Sequence, residues 1–207
     1  MAENSGDLRP WLTRIEEAIY DVEARVEPLL DRFPVEFTVK IAPGGVIPER
    51  GHAGGCFRPG CVVLAFDPDC PAFAAHLDRP LERTIAHEVH HAARWLGPGY
   101  GRTLGEAIVS EGLACRFVSE VFSDPPEPWE IALAPNALAE WIEAARPHIG
   151  DMMYDHASWF FGGRGVPRWA GYAIGFELVG RFLREDEEKR ASAHAQTPAS
   201  LVLNKVL

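Results

Sequence analysis

The chain has 207 residues, of which 20 are Lys or Arg and 30 are Asp or Glu, so its formal net charge is −10. Hydrophobic residues make up 47% and charged residues 24%, the composition of a globular protein with its own core. The negative charge argues against a nucleic-acid-binding protein, because the molecule as a whole repels phosphates. The longest apolar run, Cys61–Phe66, is far shorter than the roughly 20 residues that span a membrane.

The N-terminal segment Met1–Asp7 is acidic and polar, unlike a signal peptide, so the sequence predicts a cytoplasmic protein. Four cysteines could form two disulfides, or the first three of them could bind a metal. They are Cys56, Cys61, Cys70 and Cys115. Their spacings are not CxxC, and a chain of this length needs no cross-links. Reduced, mostly structural thiols are therefore the preferred interpretation.

The first part of the chain predicts one helix followed by strands. Apolar residues recur at helical spacing from Leu8 to about Leu30, and Pro28 ends or bends this helix. Apolar and polar residues alternate over Val35–Ile41, which is typical of a half-buried strand. The Gly-rich stretch Gly51–Gly55 is interpreted as a loop that leads into a second strand at the apolar run named above.

From Pro80 onward the pattern is helical. The predicted helices are Pro80–Leu96, Thr103–Phe122, Ala137–Ala145, Asp151–Phe161, Trp169–Arg184 and a short last one capped at Thr197-Pro198. Strands early and helices late predict the α+β class, with a small N-terminal antiparallel or mixed sheet and a mainly helical C-terminal part. We interpret 1–207 as a single domain, comprising an N-terminal helix (1–34), a small sheet (35–77), two central helices (78–123) and a helical C-terminal part (124–207).

The first central helix contains the pattern HExxH, as His87-Glu-Val-His-His91. Two histidines four residues apart lie about 40° apart around a helix axis, so both imidazoles can bind one Zn²⁺ while Glu88 reaches a water molecule beside it. The core stripe of this helix consists of Leu81, Ile85, Val89, Ala92 and Leu96. Both histidines point away from this stripe, as side chains that line a cleft would. The alternative for such a cluster is a solvated helix face.

A catalytic zinc site needs a third protein ligand and one open position. The next helix offers Glu106 and Glu111, which lie about 140° apart around the axis and cannot both face one metal. Glu106 is explained by a capping box that begins at Thr103. Glu111 has small or apolar neighbours one turn away, where a carboxylate is costly unless it is paired or bound to a metal, so we predict it as the third ligand. His90 lies about 100° from His91 and is interpreted as a flanking residue.

These motifs carry a resemblance to known metallopeptidases. HExxH followed by Ser110-Glu-Gly-Leu-Ala114 resembles the gluzincins, in their thermolysin-like and aminopeptidase forms. Together with Gly171-Tyr-Ala-Ile-Gly175, the motifs more closely resemble a bacterial family of zinc-dependent proteases, over roughly residues 35–185. The resemblance implies a zincin-like active-site helix, Zn²⁺ as the cofactor, and a peptide or protein substrate.

The resemblance also implies roles for particular residues. His87, His91 and Glu111 would bind zinc, and Glu88 would be the general base. Cys61–Phe66 would be an edge strand along which an extended peptide pairs. Where thermolysin-like enzymes carry an acid that orients a zinc histidine, four residues past the ligand Glu, this chain has a cysteine at position 115, so this orienting partner stays unassigned.

Peptide hydrolysis also needs a hydrogen-bond donor for the oxyanion that develops on the carbonyl. Tyr172 is the predicted donor, on a helix where Gly171 and Gly175 allow close packing; the alternative is a core tyrosine beside Phe176. Further candidates are Tyr154, His156 and Arg168, whereas His52 is interpreted as a loop residue.

The sequence therefore predicts a zinc-dependent peptidase that uses a Glu general base. One alternative is a non-catalytic zinc-binding module of structural or regulatory function, and another is a metal-free helical interaction protein with a fortuitous motif. Glu88 separates the first two, because structural zinc needs no adjacent carboxylate and usually has a closed, cysteine-rich shell. The net charge favours neutral or basic peptides. Cleavage specificity and oligomeric state stay open.

Overall fold

Residues 6–207 are the part of the chain that this computed structural model describes, and they contain three strands and seven α-helices. The strands are β1 (Glu36–Ile41), β2 (His52–Arg58) and β3 (Cys61–Phe66). The helices are α1 (Leu12–Val26), α2 (Arg79–Arg94), α3 (Leu104–Phe122), α4 (Pro135–Ala145), α5 (His156–Phe161), α6 (Ala170–Glu185) and α7 (Ala199–Val206). The predicted α+β class with a small mixed sheet is confirmed.

The chain divides into two compact units, Met1–Ala93 and Arg94–Leu207, each described separately below. The single-domain interpretation stays a prediction. The interpretation that the N-terminal segment is unlike a signal peptide depends mostly on residues 1–5, which lie outside the described residues. Among residues 6–207, no helix combines the length and the apolar character needed to cross a bilayer.

In the first unit, α1 presents one apolar face to the core and ends before a proline. Its buried residues are Ile15, Ala18, Val22 and Val26. The helix ends at Val26, two residues before Pro28, because a proline has no N–H to continue the hydrogen-bond ladder. The predicted end near Leu30 was therefore too late.

The sheet has the order β1–β3–β2, with β1 parallel and β2 antiparallel to the central strand. Val62, Leu64 and Phe66 of β3 are fully buried. The expectation that Cys61–Phe66 is an edge strand is wrong: a continuous apolar run suits a strand that has neighbours on both sides, and β3 pairs with β1 and β2.

Strand β2 covers most of the stretch that the sequence indicated as a loop. It begins at His52, which is buried rather than a loop residue, and pairs with β3 until an irregularity between Gly55 and Arg58. Glycines weaken a strand in general but permit another group to approach its backbone closely. A Cβ atom on Gly54 would lie 2.5 Å from Cγ of Glu88, so the glycine here is required by packing and not by a turn.

Helix α2 buries the predicted core stripe. Leu81, Ile85, Val89 and Ala92 are all buried. The helix ends at Arg94, so the predicted end at Leu96 was wrong; Leu96 lies outside the helix and is 57% exposed.

In the second unit, α3 is the central helix and packs against α6 and α7. The predicted capping box is present, since the Thr103 side chain accepts from the Glu106 N–H and the Glu106 carboxylate accepts from the Thr103 N–H. Helix α5 begins at His156, later than predicted, because the Asp155 side chain caps it by accepting from the Ser158 N–H at 3.1 Å.

Two glycines let α3 and α6 approach closely. A Cβ on Gly112 would lie 2.2 Å from the Gly175 carbonyl oxygen, and one on Gly175 would lie 2.3 Å from the Ile108 oxygen. The close packing predicted at Gly175 is therefore confirmed, and Gly171 packs in the same way against the Phe160 ring.

Replacing Gly175 by alanine should lower the free energy of unfolding by about 1–3 kcal/mol, because the added methyl meets backbone that cannot move aside. Denaturant unfolding measures this change. Gly150→Ala is the matched control, since nothing lies within 4 Å of its Cβ position. Equal stability of the two variants would contradict the close approach of α3 and α6.

The metal-free protein should lose stability between pH 6.5 and pH 4 through His52. Burial lowers the pKa of His52 to about 4, and the charges of Arg50 and His76 add to this, whereas the His76 backbone opposes it. In the unfolded chain the histidine binds a proton near pH 6.5, whereas the folded protein keeps His52 neutral. The free energy of unfolding is therefore undiminished above pH 6.5 and falls by about 3 kcal/mol by pH 4. Denaturant unfolding at pH 7 and pH 4.5 should show a smaller difference for His52→Gln than for wild type; equal differences would contradict this assignment.

Candidate functional site

The HExxH residues lie on a buried face of α2. The Nε2 atoms of His87 and His91 are 3.0 Å apart, with their ring planes at 77°. His91 and Glu88 are buried and His87 is half-buried, so the solvated-face alternative is wrong. His90, the fourth residue of the pattern, is fully buried.

The histidine pair has the geometry of two ligands to one ion. Two nitrogens at about 2.0–2.1 Å from a tetrahedral zinc lie about 3.3 Å apart, close to the observed separation. Two imidazoles and one carboxylate form a donor set typical of catalytic zinc. The two histidines on α2 therefore fit two of the ligand positions of this metal.

The side chain of Glu88, on α2, lies against the backbone of strand β2 of the same unit. The position of a Cβ on Gly54 would be 2.8 Å from Glu88 Oε1, so the β2 backbone passes directly over the carboxylate. The Cys56 thiol is also near: burial, together with the charge of Glu88, raises its pKa to about 11. Cys56 is consequently protonated at neutral pH in the metal-free protein and is not an activated nucleophile there.

In the second unit, Glu111 projects from α3 and is 6% exposed. The Tyr100 hydroxyl donates a hydrogen bond to Glu111 Oε1 at 2.8 Å. Burial, and next the charge of Glu111, raises the pKa of Tyr100 well above its usual value, so the phenol keeps its proton. Sequence reasoning missed Tyr100, because it lies in a Gly-rich loop with no periodic pattern.

Three candidates for the oxyanion donor, Tyr154, His156 and Tyr172, lie near Glu111 or its partner Tyr100 in the same unit. The Tyr154 hydroxyl and His156 Nδ1 are 3.0 Å apart, and His156 is stacked on Phe160. Tyr172 contacts Phe160 edge to face, and it is near enough to Tyr100 to add to the rise of its pKa. Burial lowers the pKa of His156, an effect that the charge of Glu111 opposes.

Arg168, the remaining candidate, is exposed, and its guanidinium lies 3.9 Å from the centre of the Trp169 ring. Phe176 is the neighbour expected for a core Tyr172. The Arg116 guanidinium lies 3.5 Å from the centre of the Phe176 ring. The oxyanion role of Tyr172 stays a prediction.

Cys115 occupies the position at which thermolysin-like enzymes carry an acid. The residue is fully buried, and burial raises the pKa of its thiol well above its usual value. The carboxylates of Glu130 and Glu111 contribute to this rise, which places an acid from a distant part of the sequence beside Cys115. Glu130 is itself 3% exposed, and its Oε2 accepts from the Glu127 N–H at 2.7 Å. No disulfide joins any of the four cysteines, all of which lie within the described residues.

The three predicted ligands form one group. Among residues 6–207, one ligand atom each of His87, His91 and Glu111 lies within 4.8 Å of the others, so this group could hold a metal ion. His90, Glu106 and the cysteines are outside it.

Comparison with known proteins gives a match to one family model. No curated protein and no solved structure matches the chain. The family model is described as "Predicted Zn-dependent protease (DUF2268)" and matches residues 15–204, which include every residue of the candidate site. The chain therefore belongs to this family of predicted zinc-dependent proteases.

Proposed function

We propose that the protein is a zinc-dependent peptidase in which His87, His91 and Glu111 bind the metal and Glu88 is the general base. The observation that carries the proposal is the His–His–Glu group, whose ligand atoms lie within 4.8 Å of one another. The 3.0 Å separation of the histidine Nε2 atoms supports it, as does the description of the family.

A zinc ion held by these side chains would lower the pKa of a water molecule toward neutrality and polarise a peptide carbonyl. The neighbouring residues would supply the remaining steps. Glu88 accepts the proton of the attacking water on its carboxylate and passes it to the leaving amine. Its burial and its contact with the β2 backbone hold the carboxylate in one position, which favours this transfer.

The substrate strand in this proposal is β2, in place of the predicted Cys61–Phe66. In the first unit β2 pairs with β3 on one side, and the backbone of its residue Gly54 contacts Glu88. An extended peptide that adds to the sheet along β2 would bring its carbonyls past the general base. The two adjacent glycines, Gly54 and Gly55, keep this part of the strand free of side chains.

The oxyanion donor in this proposal is Tyr172, which shares the surroundings of Glu111 and Tyr100. The Tyr154–His156 pair is the second candidate, since their hydrogen bond orients both side chains. The net charge of −10 favours neutral or basic peptides over acidic ones as substrates.

Glu88→Gln should retain one zinc per chain and lose cleavage of a mixed peptide library by roughly 10²–10⁴-fold, because the amide cannot accept the proton. Metal analysis and mass spectrometry of the cleaved library measure the two properties. Glu140→Gln, on the exposed face of α4, is the control and should behave as wild type.

The outcomes separate the alternatives. Zinc retained with no cleavage by wild type would indicate a non-catalytic zinc module. Zinc near zero after purification and reconstitution would favour a metal-free interaction protein. Wild-type cleavage by Glu88→Gln would exclude Glu88 as the base.

Gly54→Ala should also lower kcat, by roughly 10- to 100-fold, with zinc content unchanged, because the new methyl would lie 2.5 Å from Glu88 Cγ and displace the carboxylate. Steady-state kinetics with a cleaved library peptide measures this loss. Gly45→Ala is the control, since its Cβ meets only Ala42 at an ordinary 3.4 Å. Unchanged kcat in Gly54→Ala would show that Glu88 has no role that depends on its position.

A further inference from the structure

Tyr100 lies between two glycines in the loop that precedes α3. Gly99 and Gly101 have φ values of +70° and +96°, in the region that side-chain-bearing residues rarely adopt. A Cβ on Gly101 would lie 2.2 Å from Cβ of Glu106, so the loop is packed closely against the first turn of α3. The backbone that carries Tyr100 is thus held in one conformation.

From this loop, the Tyr100 side chain reaches the carboxylate of Glu111, one of the most buried acids of the second unit. The phenol oxygen lies 2.8 Å from Oε1, the distance of a charge-assisted hydrogen bond. A phenol that donates to one carboxylate oxygen fixes the rotation of the whole group, because χ3 of a glutamate is otherwise a broad, soft torsion. The contact therefore determines which oxygen Glu111 directs elsewhere.

We propose that Tyr100 is a positioning residue for Glu111: it occupies Oε1 and leaves Oε2 as the single oxygen that binds the metal. This inference rests on the proposed function, in which Glu111 is the third ligand. Outer partners that orient a metal ligand typically change metal affinity by roughly 10- to 100-fold when they are removed. Tyr100 would thus act on Glu111, and neither the substrate nor the general base would contact it.

The test compares wild type, Tyr100→Phe, Glu111→Gln and the control Tyr20→Phe, whose hydroxyl lies on the exposed face of α1. Zinc affinity is measured by competition with a chelator, and the Co²⁺-substituted proteins give a visible spectrum that reports the number of bound oxygens. Tyr100→Phe keeps the ring, and thermal melting of the metal-free protein checks that the fold is retained.

We expect Tyr100→Phe to lose roughly 10- to 100-fold in zinc affinity and to show weaker Co²⁺ absorption, as Glu111 becomes free to bind through both oxygens. At saturating zinc its KM should equal that of wild type and most of kcat should return. Tyr20→Phe should match wild type in every measurement.

Wild-type zinc affinity and an unchanged Co²⁺ spectrum in Tyr100→Phe would overturn the inference. So would normal affinity with a kcat that stays low at saturating zinc, since Tyr100 would then act on the substrate. The Glu111→Gln variant tests the proposed function separately. If its zinc affinity equals that of wild type, Glu111 is not a ligand, and the Tyr100 inference is then also wrong.

Discussion

Burial of charge is the constraint on which the rest of the structure depends. Glu88 on α2 and Glu111 on α3 are buried, with 7% and 6% of their surface exposed. A carboxylate in such surroundings costs several kcal/mol unless hydrogen bonds or positive charge compensate it. The Tyr100 hydroxyl offsets part of this cost for Glu111, and a divalent cation would offset far more, because charges attract strongly where water is excluded. The proposed metal would therefore stabilise the fold as well as serve the chemistry.

The elements that repeat a pattern could be predicted from the sequence. Helical spacing of apolar residues located α1, α2, α3 and α6 to within a few residues, and alternation located β1. The same periodicity predicted the candidate ligands: spacing of four put His87 and His91 side by side, and apolar neighbours singled out Glu111 from Glu106. Such predictions are possible because a helix fixes the directions of its side chains whatever it packs against.

The parts of the site that depend on contacts between distant segments could not be predicted. Strand β2 was assigned as a loop because glycine usually marks a turn, whereas here Gly54 lets the strand pass over Glu88. Tyr100 lies in a loop with no pattern at all. Glu130 approaches Cys115 from a segment fifteen positions farther along, and no local signal indicates that contact. Each is a tertiary contact whose partner is recognisable only after the chain has folded.

The composition of the candidate site bears on which zinc chemistry it suits. Structural zinc sites are closed by four protein ligands, usually with several cysteines. The cysteines of this chain lie outside the His–His–Glu group, and burial raises the pKa values of Cys56 and Cys115, which keeps both thiols protonated. The three proposed ligands would leave one position for water, and Glu88 is next to His87 in the sequence on the same helix. A buried carboxylate at that place has no purpose in a structural site, where it would only add to the cost of folding. Its burial beside strand β2 therefore favours catalysis over a structural function for the metal.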